Sequence, residues 1–324
     1  MSFRTPFLFL LVAAIWGSTF PAVRVGVDVI PPVLFAALRF DAVAILMLGY
    51  AFLRGYRIRP SREEWVGILA GGVFLIALHH ALLFAGQQYV TSAVAAVIVA
   101  TVPILTAGLS RLLLPSVTLD LVGLIGLGCG FLGTVIVADP SSDALYTTES
   151  IGVLLVFVAA IAFALGTVLT QRTRTGLPVA SLQGWMMLVG APVLHVASVS
   201  IGEPQSIDWT PAAAIAFAYL VPVAGGLGYL LYFDLLDRLG SVEINLVTYL
   251  LPVVAAIVGW LTLTEPVEST TIVGFVVVAV GFVLVKRRAL AGLIAKRPQA
   301  LSAEDGKRGS WERSVVLGTT VSFA

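Results

Sequence analysis

Residues 91–113 read TSAVAAVIVATVPILTAGLSRLL, and this stretch sets the fold class. Arg111 is its only charged residue, and no Asp, Glu, Lys or Arg lies between Glu64 and Arg111. A helix needs about 20 mostly apolar residues to cross the hydrocarbon core of a bilayer. The stretch therefore has the length and composition of a transmembrane helix.

The composition extends this interpretation to the whole chain. Of 324 residues, 59% are hydrophobic and 11% are charged, whereas soluble domains carry about 25% charged residues. The sequence predicts an all-α polytopic membrane protein in contact with membrane lipid. A net charge of +1 gives no electrostatic basis for a nucleic-acid partner, and a single cysteine excludes an internal disulfide. The oligomeric state stays open.

Apolar runs of this kind recur along the chain. We expect ten transmembrane helices, at residues 6–24, 31–53, 65–87, 91–113, 118–138, 150–171, 180–201, 211–234, 241–263 and 269–286. The first run continues past Trp16 and Pro21 without a cleavage site, so it is read as a retained span and not as a signal peptide.

The arginines and lysines of the short loops set the orientation. With the N-terminus inside, the inner connections carry Arg54, Arg57, Arg59, Arg62, Arg111, Arg172, Arg174, Arg238 and the run 286–288. The outer connections, such as residues 139–150 and 264–270, are acidic or neutral. An even span count then puts both termini in the cytoplasm. The expected location is a bacterial-type inner membrane.

An internal repeat appears when the sequence is shifted by 149 residues. The shift takes SAVAAVIVATVP (92–103) onto SVEINLVTYLLP (241–252) and Phe84 onto Phe233. The unit is five spans, and an odd unit inserts its second copy upside down, which is the inverted repeat common in secondary transporters. We predict a first repeat at 1–140, a second inverted repeat at 141–288, and a disordered cytoplasmic tail at 289–324.

Several stretches resemble the EamA family of drug/metabolite transporters. They are IWGSTFPAVRVG (15–26), ALRF (37–40), QYVTSAVAAVIVATVPILTAGL (88–109) and LTLTEPVESTTIVGFVVVAVGFVLV (261–285). The resemblance implies a ten-helix exporter of amino acids, other metabolites or drugs around a central cavity. The His-bearing third span, with the Trp and Tyr residues, is similar to the YddG-like aromatic amino-acid exporters. The family's "GE" after the fourth span of each half is represented by Glu265 in the second half, whereas the first half has Pro115 and Ser116.

Two adjacent histidines lie in the third predicted span. An ionisable group at that depth is a functional candidate, because it is costly to bury unpaired. Neighbours on a helix point about 100° apart, and Gly72, His79 and Gly86 recur every seven residues. We expect His79 to face the cavity, as a substrate contact or proton site, and His80 to face a neighbouring helix or a span boundary. The alternative for both is a neutral, hydrogen-bonded packing role.

Other polar and aromatic residues within the spans are substrate candidates. Arg39 could bind a carboxylate bidentately or tie helices through backbone carbonyls, and Asp41 is a possible proton site. Aromatic and hydrogen-bonding side chains could line the cavity or simply pack between helices; they are Trp16, Ser18, Trp185, Tyr229, Asn245 and Tyr249. Pro103 and Pro252 match across the repeat and are predicted hinges.

The resulting prediction is a secondary exporter of small metabolites, foremost amino acids with aromatic or bulky apolar side chains. It would work by alternating access, either as facilitated diffusion or with proton antiport. Drug or other metabolite export is the alternative within the family, and an intramembrane enzyme is the alternative from another class. No nucleotide-binding loop or metal motif occurs in the sequence, so no cofactor or metal is expected.

Overall fold

A computed structural model describes residues 4–113, 121–138, 148–173, 176–207, 209–281, 283–284 and 287. All regular elements in these residues are helices. In chain order they are α1 (Thr5–Val27), α2 (Pro32–Leu53), α3 (Glu64–Gly86), α4 (Ser92–Leu113), α5 (Leu121–Ala138), α6 (Thr148–Thr173), α7 (Val179–Ser200), α8 (Pro211–Leu239), α9 (Ser241–Asn245, Leu246–Tyr249 and Leu251–Leu263) and α10 (Ser269–Gly281).

Seven of these helices are long and apolar enough to cross a membrane: α1 to α4 and α6 to α8. Three shorter apolar helices, Leu121–Gly133 within α5, Leu251–Leu263 and Ser269–Gly281, fall where the other three spans were expected. The protein is therefore an integral membrane protein, and the count of ten spans stays a prediction. The predicted boundary at 140/141, the residues Pro115 and Ser116, and the tail 289–324 lie outside the described residues.

Two helices change their winding in the middle. Residues Gly71–Leu78 of α3 and Leu220–Gly228 of α8 form π-helix, in which each amide bonds the carbonyl five residues back. The shift of 149 residues takes Gly71 onto Leu220, so both begin at the same register of the repeat. π-helical segments are rare and frequently occur at functional sites.

Two further helices break ahead of the paired prolines. In α4 the helical pieces Ser92–Val99 and Val102–Leu113 are separated at Ala100, and in α9 a 3₁₀ turn at Leu246–Tyr249 precedes Leu251–Leu263. Proline lacks an N–H and clashes with the preceding turn, so a break just before it relieves both. The expected paired kinks at Pro103 and Pro252 are present, while their role as hinges stays a prediction.

The core is built between helices of the two halves of the chain. α2 packs along α7, α4 packs on α9, α3 packs on α6, and α8 packs on α1. Small residues permit the closest approach: a Cβ added at Gly166 of α6 would lie 2.7 Å from the backbone nitrogen of Leu75 in α3. These contacts surround the middle of the molecule, where the candidate site lies.

Carboxylates from the second half of the chain bind the N-terminal ends of two helices of the first half. Glu203 accepts hydrogen bonds from the amides of Val33 (3.0 Å) and Leu34 (2.9 Å) at the start of α2. Glu265 accepts from the amide (3.1 Å) and the hydroxyl (3.2 Å) of Ser92 at the start of α4. A helix N-terminus carries unpaired N–H groups and a partial positive charge, so both contacts stabilise it.

The equivalent of Ser92 under the repeat is bonded differently. Ser241, at the start of α9, donates its hydroxyl to Oε1 of Gln171 in α6 at 2.5 Å. The two ends of the molecule are thus held by different chemistry, a carboxylate at Ser92 and an amide at Ser241.

A candidate substrate cavity between the two halves

A small cavity lies where α1, α2, α3, α4, α6, α8 and α9 meet. Four aromatic rings line it, and they come from Trp16, Phe20, Phe163 and Tyr229. Its polar lining consists of Thr19, Arg39, His79, His80 and Thr248. Its volume is about 50 Å³, well below the ~300–1,000 Å³ of pockets that bury a drug-sized ligand. A ligand of that size therefore does not fit unless the surrounding helices move apart.

Both adjacent histidines border this cavity. Nδ1 of His79 lies 2.9 Å from the carbonyl oxygen of Ala159 in α6. Nδ1 of His80 lies 2.9 Å from the carbonyl oxygen of Ile76, and its Nε2 lies 3.3 Å from the hydroxyl of Tyr229. The two rings meet edge to face, with centroids 4.5 Å apart. The expectation that only His79 would reach the cavity does not match this arrangement.

Gly72, His79 and Gly86, which recur every seven residues, do not share one face of α3. A Cβ added at Gly72 would meet Val189 of α7, whereas one added at Gly86 would meet Val156 of α6, the helix that His79 also contacts. The π-helical segment Gly71–Leu78 includes Gly72 and ends just before His79, and its wider turns rotate the residues that follow it. A stripe counted at α-helical spacing therefore does not continue through this helix.

Arg39 is the charged residue at the cavity. Its side chain is 1% exposed, and its Nε and Nη1 atoms have no hydrogen-bond partner in the described part of the chain. The guanidinium lies over the rings of Phe40 (5.0 Å to the centroid) and Phe84 (5.8 Å). Cation–π contact recovers part of the cost of burial. A guanidinium with free donors beside a cavity can bind an anion bidentately.

Trp16 forms the centre of an aromatic cluster. Its ring centroid lies 4.8 Å from that of Tyr232 and 5.0 Å from that of Tyr229, and its Nε1 lies 3.4 Å from the carbonyl oxygen of Ala224. A Cβ added at Gly228 would lie 2.6 Å from Nε1 of Trp16. The missing side chain at Gly228, which the repeat aligns with His79, is what lets the indole reach this position.

A chain of hydrogen-bonded polar side chains lies next to the cavity, behind the rings of Trp16 and Phe163 that line it. The hydroxyl of Tyr232 donates to Oδ1 of Asn245 (2.9 Å) and contacts Oγ1 of Thr167 (3.1 Å), and Nδ2 of Asn245 donates to Oγ1 of Thr106 (3.0 Å). We call Thr106, Thr167, Tyr232 and Asn245 the inner polar layer, after the predicted cytoplasmic side. It joins α4, α6, α8 and α9.

A larger cavity of about 580 Å³ lies beyond the inner polar layer, toward the loops that carry the arginines. Thr170, Gln171, Phe233, Leu236 and Arg238 are among the residues that line it. We call it the vestibule. The rings of Phe233 and Tyr232 meet edge to face with centroids 5.5 Å apart, so aromatic rings separate the vestibule from the central cavity.

Several predicted site residues lie away from the cavity lining. Nε1 of Trp185 donates to the carbonyl of Ile58 at 2.7 Å, near a loop. The hydroxyl of Ser18 contacts that of Tyr219 at 2.6 Å. Tyr249 packs on a separate cluster of Ala100, Ile104 and Val278, and Asn245 belongs to the inner polar layer.

Comparison with known proteins identifies the chain's relatives. The profile of the EamA-like transporter family matches it twice, over residues 4–138 and 150–287. The chain belongs to the EamA-like transporter family. It is accordingly a membrane transporter and not an enzyme.

Named relatives of this EamA-like transporter agree with the assignment. The uncharacterized inner membrane transporter YedA of Escherichia coli K12 is 30% identical over 246 residues, which cover 76% of this chain and 78% of YedA. The uncharacterized transporter YoaV of Bacillus subtilis is 24% identical over 83% of this chain and 92% of its own length. One solved crystal structure matches 91% of this chain and 98% of its own with a TM-score of 0.63 at 18% identity, which shows a shared fold.

Asp41 of this EamA-like transporter has a partner that the sequence interpretation missed. Its Oδ2 lies 2.7 Å from Nε2 of His195 in α7, and both side chains are partly exposed on the face away from the cavity. A signal for this pair was present in the sequence, because two ionisable residues inside apolar spans are expected to pair.

Phe163 and Thr248 also line the cavity, and neither of them was predicted from the sequence. Their residue types are common in membrane helices, and no pattern marked their faces.

The described side chains also bear on metal binding. Among the described parts of the chain, no group of three His, Cys, Asp or Glu side chains lies close enough to hold a metal ion. The polar chemistry that the cavity offers is that of Arg39, the two histidines and the hydroxyls of Thr19, Thr248 and Tyr229.

Proposed function

We propose that this protein is a secondary exporter of small carboxylate-bearing metabolites, foremost amino acids with aromatic or bulky apolar side chains, across the inner membrane. The observation that carries the proposal is the Arg39 guanidinium, which is buried beside an aromatic-lined cavity and has two nitrogen atoms without a hydrogen-bond partner among the described residues. A carboxylate would supply the missing acceptors, and the rings of Trp16, Phe163 and Tyr229 would pack on an apolar side chain.

The internal symmetry supports alternating access. The family profile matches each half separately, and the two π-helical segments begin at equivalent positions. The packing of α3 on α6 corresponds to that of α8 on α1, as two repeats related by a twofold axis would require. Two such inverted halves can exchange conformations and open the central cavity first to one side of the membrane and then to the other.

Transport by purified protein in liposomes tests the proposal. We expect counterflow of labelled phenylalanine or tryptophan without chemical change, and less of it for threonine, whose side chain is small and polar. Repeating the assay with an imposed pH gradient decides between facilitated diffusion and proton antiport. Failure of every carboxylate probe to exchange would sink the proposed function.

A matched pair of variants ties the activity to the cavity. Arg39→Gln should lower counterflow at least tenfold, because charge-assisted hydrogen bonds to a buried carboxylate contribute about 1.5–3 kcal/mol. Arg111→Gln makes the same change at an exposed position near the end of α4 and should retain the activity. Equal loss in both variants would show that Arg39 has no special role.

A further inference from the structure

The charged groups around the central cavity are unbalanced. Arg39 brings a full positive charge, and no Asp or Glu lines the cavity in the described part of the chain. Asp41 is two residues away on α2, but residues at that spacing do not face each other on a helix, and its carboxylate is bonded to His195. The cavity therefore offers a cationic group without a counter-charge.

The two histidines add no negative group either. A carbonyl oxygen only accepts hydrogen bonds, so the Nδ1 atoms of His79 and His80, each 2.9 Å from one, carry hydrogen. A second positive charge beside a buried guanidinium is unfavourable, so both rings are assigned as neutral. The Tyr229 hydroxyl then donates to Nε2 of His80. Nε2 of His79 is left as a neutral acceptor.

The threonine hydroxyls at the cavity are neutral as well. Oγ1 of Thr19 donates to the carbonyl of Ile15 (3.1 Å), and Oγ1 of Thr248 donates to the carbonyl of Asn245 (2.8 Å). Each retains lone pairs that can accept a hydrogen bond but cannot neutralise a cation. Among the described residues, the site has donors for a carboxylate and no carboxylate for an ammonium group.

From this imbalance we infer that the site selects monoanionic carboxylates over zwitterions: an aromatic or bulky apolar 2-hydroxy or 2-oxo acid binds more tightly than the amino acid of the same side chain. The inference rests on the proposed function and refines its substrate class. A monoanion brings the charge of the occupied site to zero, whereas a zwitterion leaves it at +1 and places an ammonium near Arg39. At a separation of several ångströms in a protein interior, that repulsion corresponds to about tenfold or more in affinity. The hydroxyl of a 2-hydroxy acid can donate to Nε2 of His79.

Three probes with one side chain test the inference in liposomes containing the full-length protein. They are 3-phenyllactate (an anion), phenylalanine (a zwitterion) and phenylalaninamide (a cation). We expect 3-phenyllactate to give a half-saturating concentration for counterflow at least tenfold lower than phenylalanine, and phenylalaninamide to be the weakest. If phenylalanine matches or exceeds 3-phenyllactate, the inference is wrong while the proposed exporter stands. If neither carboxylate exchanges, both fail.

Variants of Arg39 separate recognition from a structural role. Arg39→Gln should weaken 3-phenyllactate selectively and narrow its preference over phenylalaninamide at least tenfold, whereas Arg39→Lys should retain part of that preference. A purely structural arginine would lower all three probes by the same factor, and that result would overturn the inference. Arg111→Gln serves as the matched control, and elution profiles of the purified variants report folding.

Discussion

At the scale of single residues, the environment decided what each ionisable side chain does. Arg39 and Asp41 belong to the same span and were both open candidates, yet the structure directs one to the cavity and the other to His195. Burial without partners is expensive in a membrane. The two unpartnered nitrogen atoms of Arg39 are therefore more informative than its position in the sequence.

The glycine opposite Trp16 gives the first residue-scale prediction. Gly228→Ala places a methyl group 2.6 Å from Nε1 of Trp16, and overpacking of this kind costs about 1–3 kcal/mol. We expect the indole to shift into the cavity and the counterflow rate to fall at least tenfold. Gly49→Ala is the control, because no atom of the described residues lies within 4 Å of a Cβ at that position. Full activity in Gly228→Ala would mean that the Trp16 position is not needed.

The pair Asp41–His195 gives the second residue-scale prediction. Asp41→Asn and His195→Gln each remove one side of a 2.7 Å contact between α2 and α7. If the contact stabilises the fold, the double variant should be more stable than the summed single effects imply, with a coupling of about 1 kcal/mol. Unfolding of the purified variants in detergent measures it. Strict additivity would show that the pair contributes no stability and leave a transport role to be tested.

At the scale of helices, changes in winding determined which faces meet. The α-helical spacing from Gly72 to His79 predicted one stripe, but the π-helical segment rotates the second half of α3. As a result Gly72 lies against α7, while His79 and Gly86 lie against α6. Whether a helical turn takes in an extra residue depends on packing between helices. The hydrophobic pattern of the sequence does not reveal it.

The inner polar layer gives the prediction at this scale. Thr106→Val removes the acceptor of Asn245 Nδ2, and loss of one buried hydrogen bond costs about 1 kcal/mol. We expect α4 and α9 to separate more often, so that a thiol at Thr248→Cys, in a Cys129→Ser background, reacts about fivefold faster with a small methanethiosulfonate reagent.

The control for this experiment lies on α9, the helix that carries the Thr248→Cys reporter. Thr262 is exposed, and its hydroxyl bonds the carbonyl of Val258 in its own helix. Thr262→Val should leave the reaction rate unchanged. An unchanged rate in Thr106→Val would mean that the aromatic rings of Tyr232 and Phe233 close the cavity by themselves.

At the scale of the molecule, cross-half packing places the cavity at the centre. Every long helix of the first half contacts a helix of the second. The vestibule approaches the cavity from the side of the arginine-bearing loops, whereas Glu265 joins the halves near the other end by binding Ser92. An exporter loads from the cytoplasm, so a vestibule on that side fits the proposed direction of transport.

The span count gives the prediction at the whole-molecule scale. With ten spans, both termini lie in the cytoplasm, because arginine and lysine concentrate in the connections on that side. Alkaline phosphatase fused after residue 287 should be inactive, and the same reporter inserted at residue 143 should be active. An active C-terminal fusion would mean that one of the three shorter helices does not cross the membrane.

The amino-acid sequence alone was enough for the membrane class, the helical content and the EamA resemblance, since hydropathy and span length report directly on the lipid environment. It also carried the shift of 149 residues, along which the π-helical segments are matched. The folded structure was needed to show that both histidines border the cavity, that two nitrogen atoms of Arg39 have no hydrogen-bond partner among the described residues and that Asp41 contacts His195. The physical reason is that the direction of a side chain depends on helix rotation and on contacts between distant segments. A single span in lipid carries neither kind of information.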